Sequence, residues 1–119
     1  MIMNDNLTKG QWGEQMAMDH LQSLGYDIIG RNFRSRYGEI DLIAKHGDVI
    51  VFIEVKTRAP HAMVTGVESI TISKQKKLRT TAEIFLSKFS SPPPARFDVI
   101  DLVADGWDVV SIDLVENAF

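Results

Sequence analysis

The sequence predicts an α/β fold in which helices flank a central mixed β-sheet, in the order αβββαββ. Three observations lead there. Two stretches carry apolar residues at helical spacing, and five short stretches rich in Ile, Val and Phe are bounded by turn residues. The chain has 119 residues, enough for one domain with a real core spanning 1–119. Strands and helices in this order bury their apolar faces by packing the helices onto the sheet.

Thr8 to Leu24 reads as a helix, capped by Thr8 and ended by Gly25, with Ala17, Leu21 and Leu24 in one stripe. Glu14 falls three residues before Ala17 and seven before Leu21, on that inward stripe. It reads equally as a site residue or as a first-turn acid favoured by the helix dipole. Tyr26 to Phe33 reads as a strand, and Arg34-Ser35-Arg36-Tyr37-Gly38 as a basic turn. Gly38 to Ala44 and Val49 to Lys56 form the arms of a hairpin, which Thr57 and Arg58 prolong. Ala59 to Thr71 has no clean period; Pro60 and Gly66 mark a loop whose place beside the hairpin suits a flap.

Ser73 is the expected cap of a second helix ending at Phe89, with Leu78, Ala82, Phe85, Leu86 and Phe89 as its apolar stripe. Lys74, Lys76, Lys77 and Arg79 crowd its first half, where cations oppose the dipole, so a phosphate-facing role is favoured over solubility alone. Ser90 to Pro94 is a stiff connector. Ala95 to Ala104 and Trp107 to Val115 read as strands about a turn at Asp105-Gly106, extending the sheet across the second helix. Their acids, Asp98, Asp101, Asp108 and Asp113, are expected on the solvent face.

The hairpin carries unusual cargo. Asp41, Glu54 and Lys56 interrupt runs that would otherwise be plain sheet core. A charge set into a buried strand is expensive unless it is paired or holds a metal. A two-residue turn at Gly47-Asp48 sets Asp41 directly opposite Glu54. A turn centred on His46-Gly47 instead sets Asp41 opposite Phe52 and Glu39 opposite Glu54. Either way Asp41 and Glu54 share a face, close enough for two carboxylates to hold one divalent cation. Without a cation the two anions repel, and one is driven to protonate.

Composition narrows the chemistry. There is no cysteine, which excludes disulfides, thiolate metal sites and a cysteine nucleophile, and fits a reducing, cytoplasmic setting. The first six residues lack a signal pattern, and no apolar run would span a membrane, so no membrane partner is expected. The net charge of −3 argues against a protein that coats nucleic acid generally. Residues 31–79, however, hold ten Lys/Arg against five Asp/Glu, leaving three against eleven elsewhere. A basic middle around an acidic site suits a polyanionic substrate that must meet a metal. Arg34, Arg36, Arg58, Lys74 and Lys77 are the expected phosphate contacts.

Asp41 and Glu54 offer hard oxygen ligands for Mg²⁺ or Mn²⁺, and the Val55 carbonyl lies between them. Lys56 is placed to take a proton from, or to orient, an attacking water, while the metal acidifies that water and neutralises a scissile phosphate. Glu14 would complete the first shell or bind a second ion. No Ser-His-Asp set or Gly-rich phosphate loop competes, and His20, His46 and His61 lack ligand spacing.

Gly38-Glu39-Ile40-Asp41-Leu42-Ile43-Ala44, Phe52-Ile53-Glu54-Val55-Lys56-Thr57-Arg58 and Arg96-Phe97-Asp98-Val99 resemble the signatures of the bacterial YraN-like uncharacterised protein family. That family is a distant relative of archaeal Holliday junction resolvases within the PD-(D/E)XK nuclease superfamily, and the resemblance spans nearly the whole chain. It implies a restriction-endonuclease-like fold with Asp41, Glu54 and Lys56 at the active-site positions. In the resolvase relatives a Glu on the first helix joins the site, and Glu14 holds that place. The superfamily's Pro before the first Asp is replaced here by Ile40.

The function implied is a Mg²⁺- or Mn²⁺-dependent endonuclease hydrolysing phosphodiester bonds in DNA, with branched or repair intermediates as candidate substrates and RNA left open. The alternative is a non-catalytic nucleic-acid-binding module, or an adaptor of a DNA-processing complex, that keeps the nuclease fold. Retention of Asp41, Glu54, Lys56 and Glu14 together favours the enzyme. Resolvases cut two strands symmetrically as dimers, so the resemblance implies a homodimer, although no dimer stripe stands out.

Overall fold

The computed structural model describes residues 7–119. Helix α1 (Lys9–Ser23) starts where Thr8 and Gln11 exchange hydrogen bonds: each side chain accepts from the other's backbone N–H, at 3.1 and 2.9 Å. It stops at Gly25, whose φ of 88° turns the chain so that the Tyr26 N–H reaches the Leu21 carbonyl. Glu14 lies in the second turn, so the first-turn reading of this acid falls.

Five strands follow: β1 (Asp27–Ser35), β2 (Gly38–His46), β3 (Val49–Arg58), β4 (Ala95–Asp105) and β5 (Asp108–Val115). They stand in one sheet in the order β1-β2-β3-β4-β5, antiparallel except for the parallel pair β3 and β4. Helix α2 (Ile72–Leu86) makes the crossover that a parallel pair needs. This mixed α/β sheet with a helix on each face is consistent with the restriction-endonuclease-like fold.

The two faces have separate cores. On one, Ala17, Met18 and Leu21 of α1 cover Leu42, Ala44, Val51 and Ile53. On the other, Leu78, Ala82 and Phe85 of α2 cover Ile43, Ile50 and Phe52. Val51, Phe52 and Ile53 are therefore buried whichever way they point, which is why β3 opens as an unbroken apolar run. Among the described residues no helix is long and apolar enough to cross a membrane.

Three local expectations are corrected. Thr71 rather than Ser73 caps α2, because Thr71 is extended and its Oγ1 accepts the Lys74 N–H at 3.2 Å. The helix ends at Leu86 because Ser87 turns back on Ile84, leaving Phe89 in a turn that still packs on the core. Asp98 and Asp101 are not on the solvent face: Asp98 is 0 % exposed beside Arg96, and the largely buried Asp101 grips Arg58. An unpaired carboxylate could not sit there, and each arginine makes the burial affordable.

α1 approaches the sheet closely at Gly13. A Cβ there would collide with Thr57 Oγ1 and meet Leu102 Cδ2 at 3.7 Å. Gly13→Ala should therefore destabilise the protein by about 1–3 kcal/mol, although alanine is the better helix former. Adding Thr57→Ala should recover most of the loss. Urea denaturation of both variants checks this; a single variant as stable as wild type would show that the helix simply shifts.

Candidate active site

The site is a fork in the sheet. The turn at Gly47-Asp48, with Gly47 at φ 61°, pairs His46 with Val49 and keeps β2 and β3 in register as far as Leu42 and Ile53. Beyond that pair the two strands part. β2 continues against β1, where Ser35 pairs with Gly38, and β3 continues against β4, where Arg58 pairs with Val103. Asp41 and Glu54 are the first residues past the last rung, one on each arm. Their side chains replace the missing ladder: the Val55 N–H donates to Asp41 Oδ2 at 2.8 Å, and the Asp41 N–H donates to Glu54 Oε1 at 3.3 Å. Of the two registers considered from sequence, the Gly47-Asp48 turn is the one formed.

The electrostatics follow from this placement. Burial raises the Glu54 carboxyl, Asp41 raises it further, and together they push it up to about 8. Burial also raises Asp41, against the Val55 N–H and the Lys56 charge, which hold it down. The pair therefore carries less than its full negative charge at neutral pH, with the proton on Glu54 and Asp41 accepting from Val55. None of the ion pairs among the described residues engages either acid. Burial and Asp41 raise Glu14 as well, while a hydrogen bond from Asn32 and the Arg31 charge oppose the rise. Glu14 is thus near enough to feel Asp41. Among the described residues, no three acidic or histidine side chains converge as a ready-made metal cage.

A cleft of about 210 Å³ opens beside the fork, lined by Glu39, Glu54, Lys56, Ile70, Lys74 and Lys77. Lys74 and Lys77 reach it from the first turns of α2, so the cations that oppose the helix dipole face the carboxylates. The expected flap is tied down over part of its length. Thr65 and Glu68 cap each other at 3.2 Å, the Ser69 hydroxyl donates to the Gly66 carbonyl, and Ile70 is buried in the α2-side core. Gly66 presses on Lys56: a Cβ there would lie 3.0 Å from Lys56 Cβ and 3.3 Å from Asp101 Cγ.

The other expected phosphate contacts are partly committed. Arg58 makes a two-pronged ion pair with Asp101, at 2.9 and 3.3 Å. Arg34 lies 3.4 Å from Glu39 on the surface, and Arg36 stacks over Tyr37. The sequence places Glu39 only as the partner of Glu54 in the register that does not form, and it gives Asn32 no role. Glu39 stands two residues before Asp41 in its strand, which was a usable signal. Asn32 has a left-handed backbone (φ 50°) that asparagine tolerates, and no pattern in the chain marks it.

An acid whose pKa rises on folding binds its proton better when folded, so its stabilising effect is complete below about pH 4.5 and is lost as pH climbs toward about 8. Glu54→Gln keeps the oxygen that accepts from Asp41 and removes the charge. It should be more stable than wild type at pH 8, by on the order of a few kcal/mol, and nearly equal at pH 4. Denaturation midpoints at the two pH values check this; parallel curves for the two proteins would place an ionised Glu54 in a solvated setting. Mg²⁺ should raise the wild-type midpoint at pH 8 more than that of the variant.

The comparisons with known proteins fit this frame. The model of a family described as "Uncharacterised protein family UPF0102" matches residues 13–103. A UPF0102 protein of Symbiobacterium thermophilum is 45 % identical over 111 residues, covering 92 % of this chain and 94 % of its own. One from Rhodococcus opacus is 42 % identical over 118 residues, covering 98 % of this chain and 100 % of its own. One from Caldicellulosiruptor saccharolyticus is 41 % identical over 112 residues, covering 92 % and 95 %. The matched span runs from the glycine that seats α1 on the sheet to Val103 within β4, and so includes both arms of the fork; the chain belongs to the uncharacterised protein family UPF0102, the YraN-like family that its three motifs resemble.

Proposed function

We propose that this protein is a metal-dependent endonuclease that hydrolyses phosphodiester bonds in DNA, with branched or repair intermediates as the substrates to try first. The observation that carries the reading is the fork: two half-buried carboxylates lean on each other's strands, neither of them in an ion pair with a side chain of the described residues, and Lys56 stands beside them. The donor set fits a hard divalent ion. Asp41, Glu54 and the Val55 carbonyl would hold Mg²⁺ or Mn²⁺, which keeps several waters of its own, and Glu14 would join as a further ligand. When bound, the ion neutralises charge on the scissile phosphate and makes water a better nucleophile.

The chain's own groups supply the rest. Lys56 Nζ orients the attacking water and stabilises charge growing on the phosphate. Gly66 and the turn behind it limit where the Lys56 stem can go. Lys74 and Lys77 hold phosphates at the rim of the cleft. Arg58 braces Asp101 on the neighbouring strand and serves the site by fixing β4 to β3. A binding module without turnover is the second reading, favoured by the failure of Glu14 to converge with Asp41 and Glu54.

The test is incubation of labelled single strand, duplex, flap and four-way junction with Mg²⁺ or Mn²⁺, beside Asp41→Asn. Wild type should cut at least one shape, and the variant none. Lys56→Ala should cut at least a hundredfold more slowly, at about the lower bound for loss of a proton-handling group, with an unchanged denaturation midpoint. Tight, salt-sensitive binding without cutting would support the second reading. Lys74→Ala and Lys77→Ala should each lower the dependence of log K on log salt by about 1, measured by titration between low and moderate salt.

A further inference from the structure

The forked end of the molecule carries a second feature that the carboxylates do not use. Lys9, Trp12, Gly13 and Glu14 follow one another on the first turns of α1. Gly13 rests on Thr57, the neighbour of Lys56. Trp107 stands in the turn after β4, between the paired residues Asp105 and Asp108. Since β4 runs parallel to β3, this turn stands at the same end of the sheet as the fork. The two indoles meet edge to face, with centroids 5.5 Å apart and planes at 87°. Lys9 Nζ lies 4.8 Å from the Trp12 centroid and 4.6 Å from that of Trp107.

The two rings have different burial. Trp12 packs on the α1-side core, whereas Trp107 is 58 % exposed. A clasp between α1 and the β4–β5 turn explains Trp12. It does not explain a large indole left in water at the tip of a turn, backed by a second ring and a cation. Flat aromatic surface with a neighbouring positive charge is the chemistry that accepts an unpaired nucleobase. Exposed Asp105 and Asp108 flank Trp107 and repel phosphates, so contact there is through a base face and not through the backbone.

We propose that Trp107, backed by Trp12 and Lys9, is a stacking platform for an unpaired base of a nucleic acid whose backbone runs toward the fork. This rests on the nucleic-acid reading above. It adds a preference for strands with unpaired bases, which the carboxylates alone do not provide.

The protein's two tryptophans both lie in this cluster, so intrinsic fluorescence reports on it directly. The experiment titrates wild type and Trp107→Leu with a fluorescein-labelled single-stranded oligothymidylate and with a labelled duplex, without divalent metal, following anisotropy; indole emission is followed with the same strands unlabelled. Leucine keeps apolar bulk for a clasp and removes the ring; the thermal midpoint of the variant checks the fold. The single strand should quench wild-type emission, and the variant should bind it about tenfold more weakly while binding duplex equally. That ratio should hold between low and moderate salt, since stacking releases no counterions. Binding seen by anisotropy with no change in emission and no loss in the variant overturns the platform and leaves the nucleic-acid reading standing. A loss in the variant that fades with salt overturns it too, as an electrostatic effect. No binding of either strand overturns the platform, and the nuclease reading is then decided by the flap and four-way junction.

Discussion

At the fork the backbone gives up its own pairing and the acids take it over. Where β2 and β3 part, the N–H groups of Asp41 and Val55 lose the partners a continuous ladder would supply. A buried donor left alone costs about 1–3 kcal/mol. Asp41 Oδ2 and Glu54 Oε1 accept those two hydrogens instead. The same oxygens that would face a cation are thus what keeps the strand ends satisfied. Satisfying the backbone in this way brings two carboxyl groups together out of water, and the proton held by Glu54 is the consequence.

The rest of the molecule maintains that opening. β3 is the central strand, clamped between two helices on opposite faces, so it cannot drift to close the gap. Gly13 lets α1 come down close enough for Glu14 to feel the Asp41 charge from one side. The first turns of α2 bring Lys74 and Lys77 from the other. The pinned turn at Thr65–Ile70 closes over Lys56. Charge is therefore delivered to one end of the sheet from both layers of the fold.

On the hairpin-turn side of the fork the reverse principle holds. There Asp98 is fully buried but fully answered, by Arg96 Nε at 3.0 Å and by the Asn117 N–H at 3.1 Å. Arg96 in turn donates to the Tyr26 hydroxyl at 2.6 Å, and Tyr26 stacks on His46 at 4.0 Å. This network ties β4 to the start of β1, the hairpin turn and the C-terminal residues. Its charges cancel locally, as a structural ion pair must when it is buried. The Arg96-Phe97-Asp98-Val99 motif thus starts in this closed network and ends at Val99, which pairs with Glu54 of the fork.

The chain by itself determined the seven elements, their order and the shared face of Asp41 and Glu54, while the choice between two hairpin registers was left to the structure. Those rest on local signals: caps, glycine turns, apolar periods, and a hairpin in which both candidate turns put the two acids on one face. Lys56 was legible for the same reason, since it lies two residues from Glu54 in one strand. Glu14 was only half legible, because a helix period says which face a residue takes and not what that face meets. What the tertiary structure alone decided is set by contacts across long sequence distances. The partner of Arg58 is Asp101, forty-three residues away, and that of Asp98 includes the backbone of Asn117. The meeting of Trp12 with Trp107, and the parting of β2 from β3 beyond Leu42, belong to the same class. Whether an acid sits in water or against an arginine depends on what the sheet places beside it, and periodicity along one strand carries no record of the next.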